Sequence, residues 1–440
     1  MKISQFHKDI DISKKQTPNF KANPLVGLAV NLDEKVLLGK AVLDVVSLDA
    51  PQVIMANNEQ ERREKFNKSL FSFSMGYLSP LVTLPLTNRF AMKYISKLTK
   101  SFWSNNHKAI HISNKFLKEA EPMMAELNEM AKGVKKNPFE RLYYKLNPKK
   151  QYNSKLDIDE LLESCGGDSE KLRQKLIKAK NAVLAFDLLF TSASIGCVGF
   201  FNNWQTKHKT KQDGYSAEFS MADKSIVEKR AESYKKKEPL RKAAWLGVLA
   251  ALTLTPLLIK KGLTSKNTTA FNNFIKKISH NFDYTDGIYM SRLSLFLASF
   301  GIYSGIILAS RNQTELKDTS LRSTVSSITY FGGDILIGSI LGRLTDKYLK
   351  TNIINKDIEN AFIRKIIPPT KRLRDLGDRD KKIGAALYWI NLAMLSVCMG
   401  FGIPHLINKM IRHDVAKDVN LQNKSNTFIK SPKMDDFVKK

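Results

Sequence analysis

Apolar positions in this chain gather into long runs, and charged stretches separate them. The pattern is sharpest at residues 293–310, LSLFLASFGIYSGIILAS, which carry no charge and are bracketed by Arg292 and Arg311. At about 1.5 Å per residue this run is roughly 27 Å long as a helix, near the thickness of a bilayer's hydrocarbon core. A second run, 323–342, lies between Arg322 and Arg343 and holds one charge, Asp334. The polar link between them is short, so the two runs are expected to pack as an antiparallel pair.

Four further runs complete a set of six expected spans. They are 69–88, 181–204, 243–259 and 383–408. Pro80 and Pro85 interrupt the first, which reads either as a kinked span or as a re-entrant segment. The fold class expected is all-α: a polytopic helical membrane protein with about six transmembrane helices and additional amphipathic and basic surface helices. Around the spans, residues 1–23 read as a disordered tail, 24–68 as amphipathic helices and 89–180 as a basic helical loop region. The main bundle is expected over 181–408 and a polar tail over 409–440.

Small residues mark expected helix contacts. Gly301 and Gly305 form one GxxxG, and Gly338 and Gly342 another. In lipid, close backbone approach at such residues supplies packing. Gly301 and Gly332 are equally far from the middle of the link, so they are expected at one depth and opposite each other. Asp334 shares a stripe with Gly338 and Gly342 and so points at a partner helix. Asp187, Thr191 and Ser194 form a second polar stripe, and Asn391 lies in the last run. These five residues are the candidate intramembrane polar site. One reading is helix packing through hydrogen bonds. The other is an ion, proton or substrate path.

Charge narrows the partners. Lys and Arg number 71 against 42 Asp and Glu, a net +29. Such a balance fits an anionic lipid surface or nucleic acid. Because cations bracket the apolar runs, lipid head groups are the expected partner and nucleic acid is not. The aromatic and basic cluster at Phe139, Tyr143 and Tyr144 reads as an interfacial belt. No partner protein is indicated. The cysteines, Cys165, Cys197 and Cys398, are too widely spaced for a disulfide framework or a zinc site. His107 and His111 have helical spacing for a metal but no acidic or cysteine neighbour. The chain carries no P-loop, dinucleotide fingerprint, HExxH or GxSxG, so no catalytic residue, cofactor or metal is expected. The first residues lack an apolar core, so no cleaved signal peptide is expected and insertion falls to the first span. The expected location is a plasma or inner membrane, crossed several times. The function expected is a structural or interaction role at an anionic membrane surface. The alternatives are a transporter or channel-like protein using Asp187 and Asp334, and a membrane-tethered nucleic-acid binder.

Overall fold

The computed structural model describes residues 23–34, 36–96, 105–132, 156–264, 269–279, 281–285, 289–356 and 366–430. The regular elements are α1 (Pro24–Glu34), α2 (Val36–Leu43), α3 (Ala50–Ile54), α4 (Glu59–Phe73), α5 (Ser79–Ser96), α6 (Ala120–Lys132) and α7 (Ile158–Glu163). They continue with α8 (Ser169–Gly196), α9 (Val198–Thr210), α10 (Lys224–Lys236), α11 (Glu238–Thr264) and α12 (Ala270–Ser279). The last are α13 (Arg292–Leu308), α14 (Gln313–Ile328), α15 (Asp334–Leu349), α16 (Asp378–Leu395) and α17 (Ile403–Lys430). Among the described residues the only sheet is a hairpin of two two-residue strands, in which Tyr284 pairs with Met290.

Among the described residues, four helices are long and apolar enough to cross a membrane: Glu59–Tyr94, Ser169–Thr210, Glu238–Thr264 and Asp378–Lys417. The pair Gln313–Gly333 and Ile335–Leu349 makes a fifth if taken as one broken span. Two of the six expected spans are not among these four. Residues 293–310 form most of α13, an apolar helix of 17 residues, at the short end of the range for a crossing. Residues 323–342 are interrupted by a π-helical turn, Thr329–Gly333. The run at 69–88 lies inside one 36-residue helix. A π-helical turn at Ser74–Leu78 widens that helix just before Pro80, where proline removes a backbone donor.

The chain divides into two compact units. Unit 1 is Met1–Asp44 with Gly332–Val397, and unit 2 is Val45–Phe331 with Cys398–Lys440. This division replaces the single bundle expected over 181–408. Each of the three passages from one unit to the other falls in a π-helical turn: Asp44–Asp49, Thr329–Gly333 and Ser396–Gly402.

Unit 1 packs α1, α15 and α16 around Ala29, Ile353, Leu373, Leu376 and Ala385. Two carboxylates fix its irregular segments. Asp346 accepts from the amides of Ile353 (2.8 Å) and Ile354 (3.0 Å), and Asp33 accepts from the amide of Leu373 (2.8 Å).

Unit 2 is built on the long helix α8–α9, against which α5, α11 and α13 pack. The first turns of α8 are not a surface helix. Leu172, Leu176 and Ile177 are buried with Leu117, Met123, Leu127 and Leu161, so the described part of the region expected as basic helical loops packs into a core that continues into the bundle at Leu84, Leu188 and Leu263. Asp168 caps α8 by accepting from the amides of Glu170 and Lys171. His111, weighed as a metal ligand, lies in this region with its Nε2 3.1 Å from Asn88 Nδ2. Burial pushes its pKa down to about 3, helped by the charges of His107 and Lys180, so the ring is neutral. The belt residues at 139–144 and the tail at 1–22 lie outside the described residues. The expected polar tail from 409 instead continues α17 as far as Lys430, because no glycine or proline intervenes to end it.

Candidate functional site

The densest polar chemistry lies in unit 2, around the start of α4. Asn58 caps that helix, accepting from the amide of Glu61 at 2.9 Å and donating to the carbonyl of Ser216 at 2.6 Å. Glu61, Glu64, Lys65 and Lys68 then follow on one helix face. Asn312 caps α14 in the same way, accepting from the amide of Glu315 at 2.9 Å. Glu315, Asp318 and Arg322 share the next face. Lys211, in the left-handed region at φ 55°, ends α9 and turns the chain so that Tyr215, Ser216 and Glu218 come to the same place.

Arg311 is the hub. Its Nη1 and Nη2 donate to the two oxygens of Glu64 (2.8 and 2.9 Å), and its Nε and Nη2 to Glu315 (3.0 and 2.7 Å). Glu64 also accepts from the hydroxyls of Ser216 (2.6 Å) and Thr206. Beside it, Arg322 Nη2 donates to Asp318 (3.0 Å), whose other oxygen takes the Tyr215 hydroxyl (2.5 Å). Burial alone would push the Arg311 pKa down. The charges of Glu315 and Glu64 overcome this and hold it well above its ordinary value. Burial raises Tyr215, and the Asp318 charge adds to it. A cavity of about 80 Å³ opens among Glu61, Glu64, Lys65, Lys68, Arg311, Asp318 and Arg322.

Glu218 sits at the edge of the network, fully buried, accepting from Asn312 Nδ2 at 3.0 Å and paired with Arg230 at 3.4 Å. Burial raises its pKa from 4.5 to about 7 against the pull of Arg230. A raised folded-state value means that the folded protein holds the proton more tightly. Stability should therefore fall as pH rises from about 4.5 to about 7, by up to about 3 kcal/mol at 1.36 kcal/mol per unit. Glu218→Gln keeps an acceptor for Asn312 and should flatten this dependence. Thermal midpoints in detergent at pH 5 and pH 8 measure it, and equal slopes in both proteins would contradict the assignment.

Nineteen residues before Thr206, about 28 Å along the helix, α8 carries Asp187. It is buried and accepts the Tyr284 hydroxyl at 2.8 Å. One turn and more earlier, Lys180 donates to the Ile112 carbonyl and to Asp283, both at 2.6 Å. Thr191 is buried on the same stripe, while Ser194 is half-buried. The serine that reaches a neighbouring helix is Ser192, which donates to the Ala298 carbonyl at 3.0 Å.

Between the two polar ends runs a seam of small residues. A methyl on Gly301 would meet Ser192 Cβ at 2.5 Å and Leu252 Cδ1 at 2.6 Å. One on Gly305 would meet the Gly196 carbonyl oxygen at 2.7 Å and the Trp245 ring at 2.8 Å. Trp245 donates to the Gly301 carbonyl at 2.9 Å. The expected pairing of Gly301 with Gly332 is thus replaced. Gly301 is enclosed by α8 and α11, and no atom lies within 4 Å of a methyl placed on Gly332.

Unit 1 holds the remaining candidates. A methyl on Gly338 would lie 3.6 Å from Asn391 Nδ2, and one on Gly342 would lie 2.8 Å from Ile354 Cδ1. The stripe therefore faces Asn391 of α16, Ile354 and Thr370. Asp334 begins α15, and its side chain lies outside the described residues. Asp187 and Asp334 belong to different units, and Asp187 does not line the cavity.

Sequence reading passed over the Arg311 network. Its signal is the spacing of charge: Glu61, Glu64, Lys65 and Lys68 at i, i+3, i+4 and i+7, and Glu315, Asp318 and Arg322 at i, i+3 and i+7. Among the described residues no group of His, Cys, Asp and Glu is arranged to hold a metal ion. Compared with family models, curated proteins and solved structures, the chain matches none.

Proposed function

We propose that the protein is a multi-pass membrane protein with a structural or interaction role at an anionic membrane surface. The flanks of its long helices carry the main support. Leu70, Leu78, Val82 and Leu86, with Leu246, Leu254, Leu257, Phe296 and Phe300, are exposed on unit 2. Apolar surface of this extent suits lipid and is costly in water. The Arg311–Glu64, Arg322–Asp318 and Lys180–Asp283 pairs are hydrogen-bonded, and their cations are shielded from the helix flanks that face outward. The cations that bracket the runs favour anionic head groups.

The transport alternative has less to stand on. Asp187 is bonded to a tyrosine and does not line the polar cavity. Membranes washed in carbonate at high pH should retain the protein, and recovery in the soluble fraction would sink the proposal. Asp187→Asn, expressed at the wild-type level, should complement cells lacking the protein. Failure of a well-folded Asp187→Asn protein to do so would favour transport.

A further inference from the structure

We propose that Lys65, Lys68 and Arg322 form a binding site for a phosphate group in the cavity at the end of the unit 2 bundle. The cavity wall is balanced in charge, with four cations facing four carboxylates. What singles out an anion is the set of donors in that wall that are left without a partner.

Every carboxylate in the wall already has a partner, Glu61 Oε1 through its ion pair with Lys65 alone. Glu61 accepts from the amide and side chain of Asn57 (2.6 and 2.9 Å) and meets Lys65 Nζ at 2.6 Å. Glu64 and Glu315 share Arg311, and Asp318 takes Arg322 and Tyr215. Asp49, beside Lys68, is bonded to Ser69, and burial raises its pKa. The donors are not used up. Arg322 is 6% exposed, and its Nη1 is buried with no hydrogen-bond partner. No hydrogen bond or ion pair joins Lys68 to the described residues, and Lys65 has Glu61 alone. A buried donor left unpaired is costly, and more so when it is charged. A phosphate oxygen is the acceptor that three converging cations fit best. About 80 Å³ is ample beside the roughly 10–15 Å³ that one water needs.

The phosphate has two sources, a free ion or a lipid head group. Only the second rests on the membrane reading. The test uses the full chain in detergent at constant ionic strength, followed by thermal unfolding. Inorganic phosphate is titrated against chloride, and dihexanoyl phosphatidic acid against dihexanoylglycerol. A saturable rise with inorganic phosphate supports a free-ion site. A rise with phosphatidic acid alone supports a head group. In either case Lys68→Gln should raise the half-saturating concentration at least tenfold. Arg322→Lys, which keeps a cation beside Asp318 and removes the free arm, should do the same. No response in the wild type to either phosphate compound overturns the proposal. So does a Lys68→Gln protein that responds as the wild type does. A protein that binds phosphate but is freed from membranes by carbonate would leave this site standing and remove the membrane reading.

Discussion

Arg311→Met is expected to destabilise unit 2 by about 3–5 kcal/mol, the cost of removing one partner from a buried ion pair. That is a large share of the usual 5–15 kcal/mol of a folded domain. The guanidinium is the common donor to Glu64 and Glu315, and without it two buried carboxylates face each other. Ser216, Thr206 and the Arg311 amide still donate to them, but they bring no charge. The loss should shrink at low pH, where the carboxylates take protons. It should also shrink when Glu64→Gln and Glu315→Gln accompany Arg311→Met, since replacing a whole buried network is far milder than breaking it. Near-UV circular dichroism of the purified proteins through a thermal ramp reads all three. An Arg311→Met protein as stable as the wild type would mean that these groups are solvated in solution.

Gly305→Leu is expected to prevent α13 from seating. The new Cβ meets the Gly196 carbonyl at 2.7 Å, a backbone atom that cannot rotate away. Helix separation would also break the bonds from Trp245 to Gly301 and from Ser192 to Ala298. The expected cost exceeds the 1–3 kcal/mol of ordinary overpacking. Low yield and aggregation on size exclusion are the readout, with Gly247→Leu as a control, since a methyl on Gly247 meets nothing within 4 Å. A monodisperse Gly305→Leu protein with unchanged Trp245 fluorescence would show that the seam is not closed. Gly338, placed beside Gly342 by sequence, has ordinary room for a methyl; Gly342, against Ile354, does not.

The helical class and the positions of the apolar runs were readable because hydrophobic periodicity and length are local properties. The partners of those runs were not. Gly301 and Gly305 stood out as small residues, yet their neighbours, Gly196, Ser192 and Trp245, come from helices 50 to 110 residues away. Nothing local ranks such pairings. The burial of residues 105–132 and 156–180 was not legible for a related reason. Their lysines dominate the composition, while their leucines are spread over several short elements, none with an apolar run of its own. The Arg311 network was hidden by an assumption that charge between apolar runs faces solvent. Glu315, Asp318 and Arg322 belong instead to the buried first turns of α14.

The π-helical turns at the three passages between units bear on how this chain can change length. A π turn is an α-helix that has taken in one residue, and removing that residue restores regular hydrogen bonding. Elsewhere in a packed helix a single deletion rotates everything beyond it by about 100° and moves one face off its partner. At Asp44–Asp49, Thr329–Gly333 and Ser396–Gly402 the surplus residue is already present. A lineage of such chains can gain or lose a residue at these joints without introducing a new kind of backbone. Whichever way a joint changes, each unit keeps its own core.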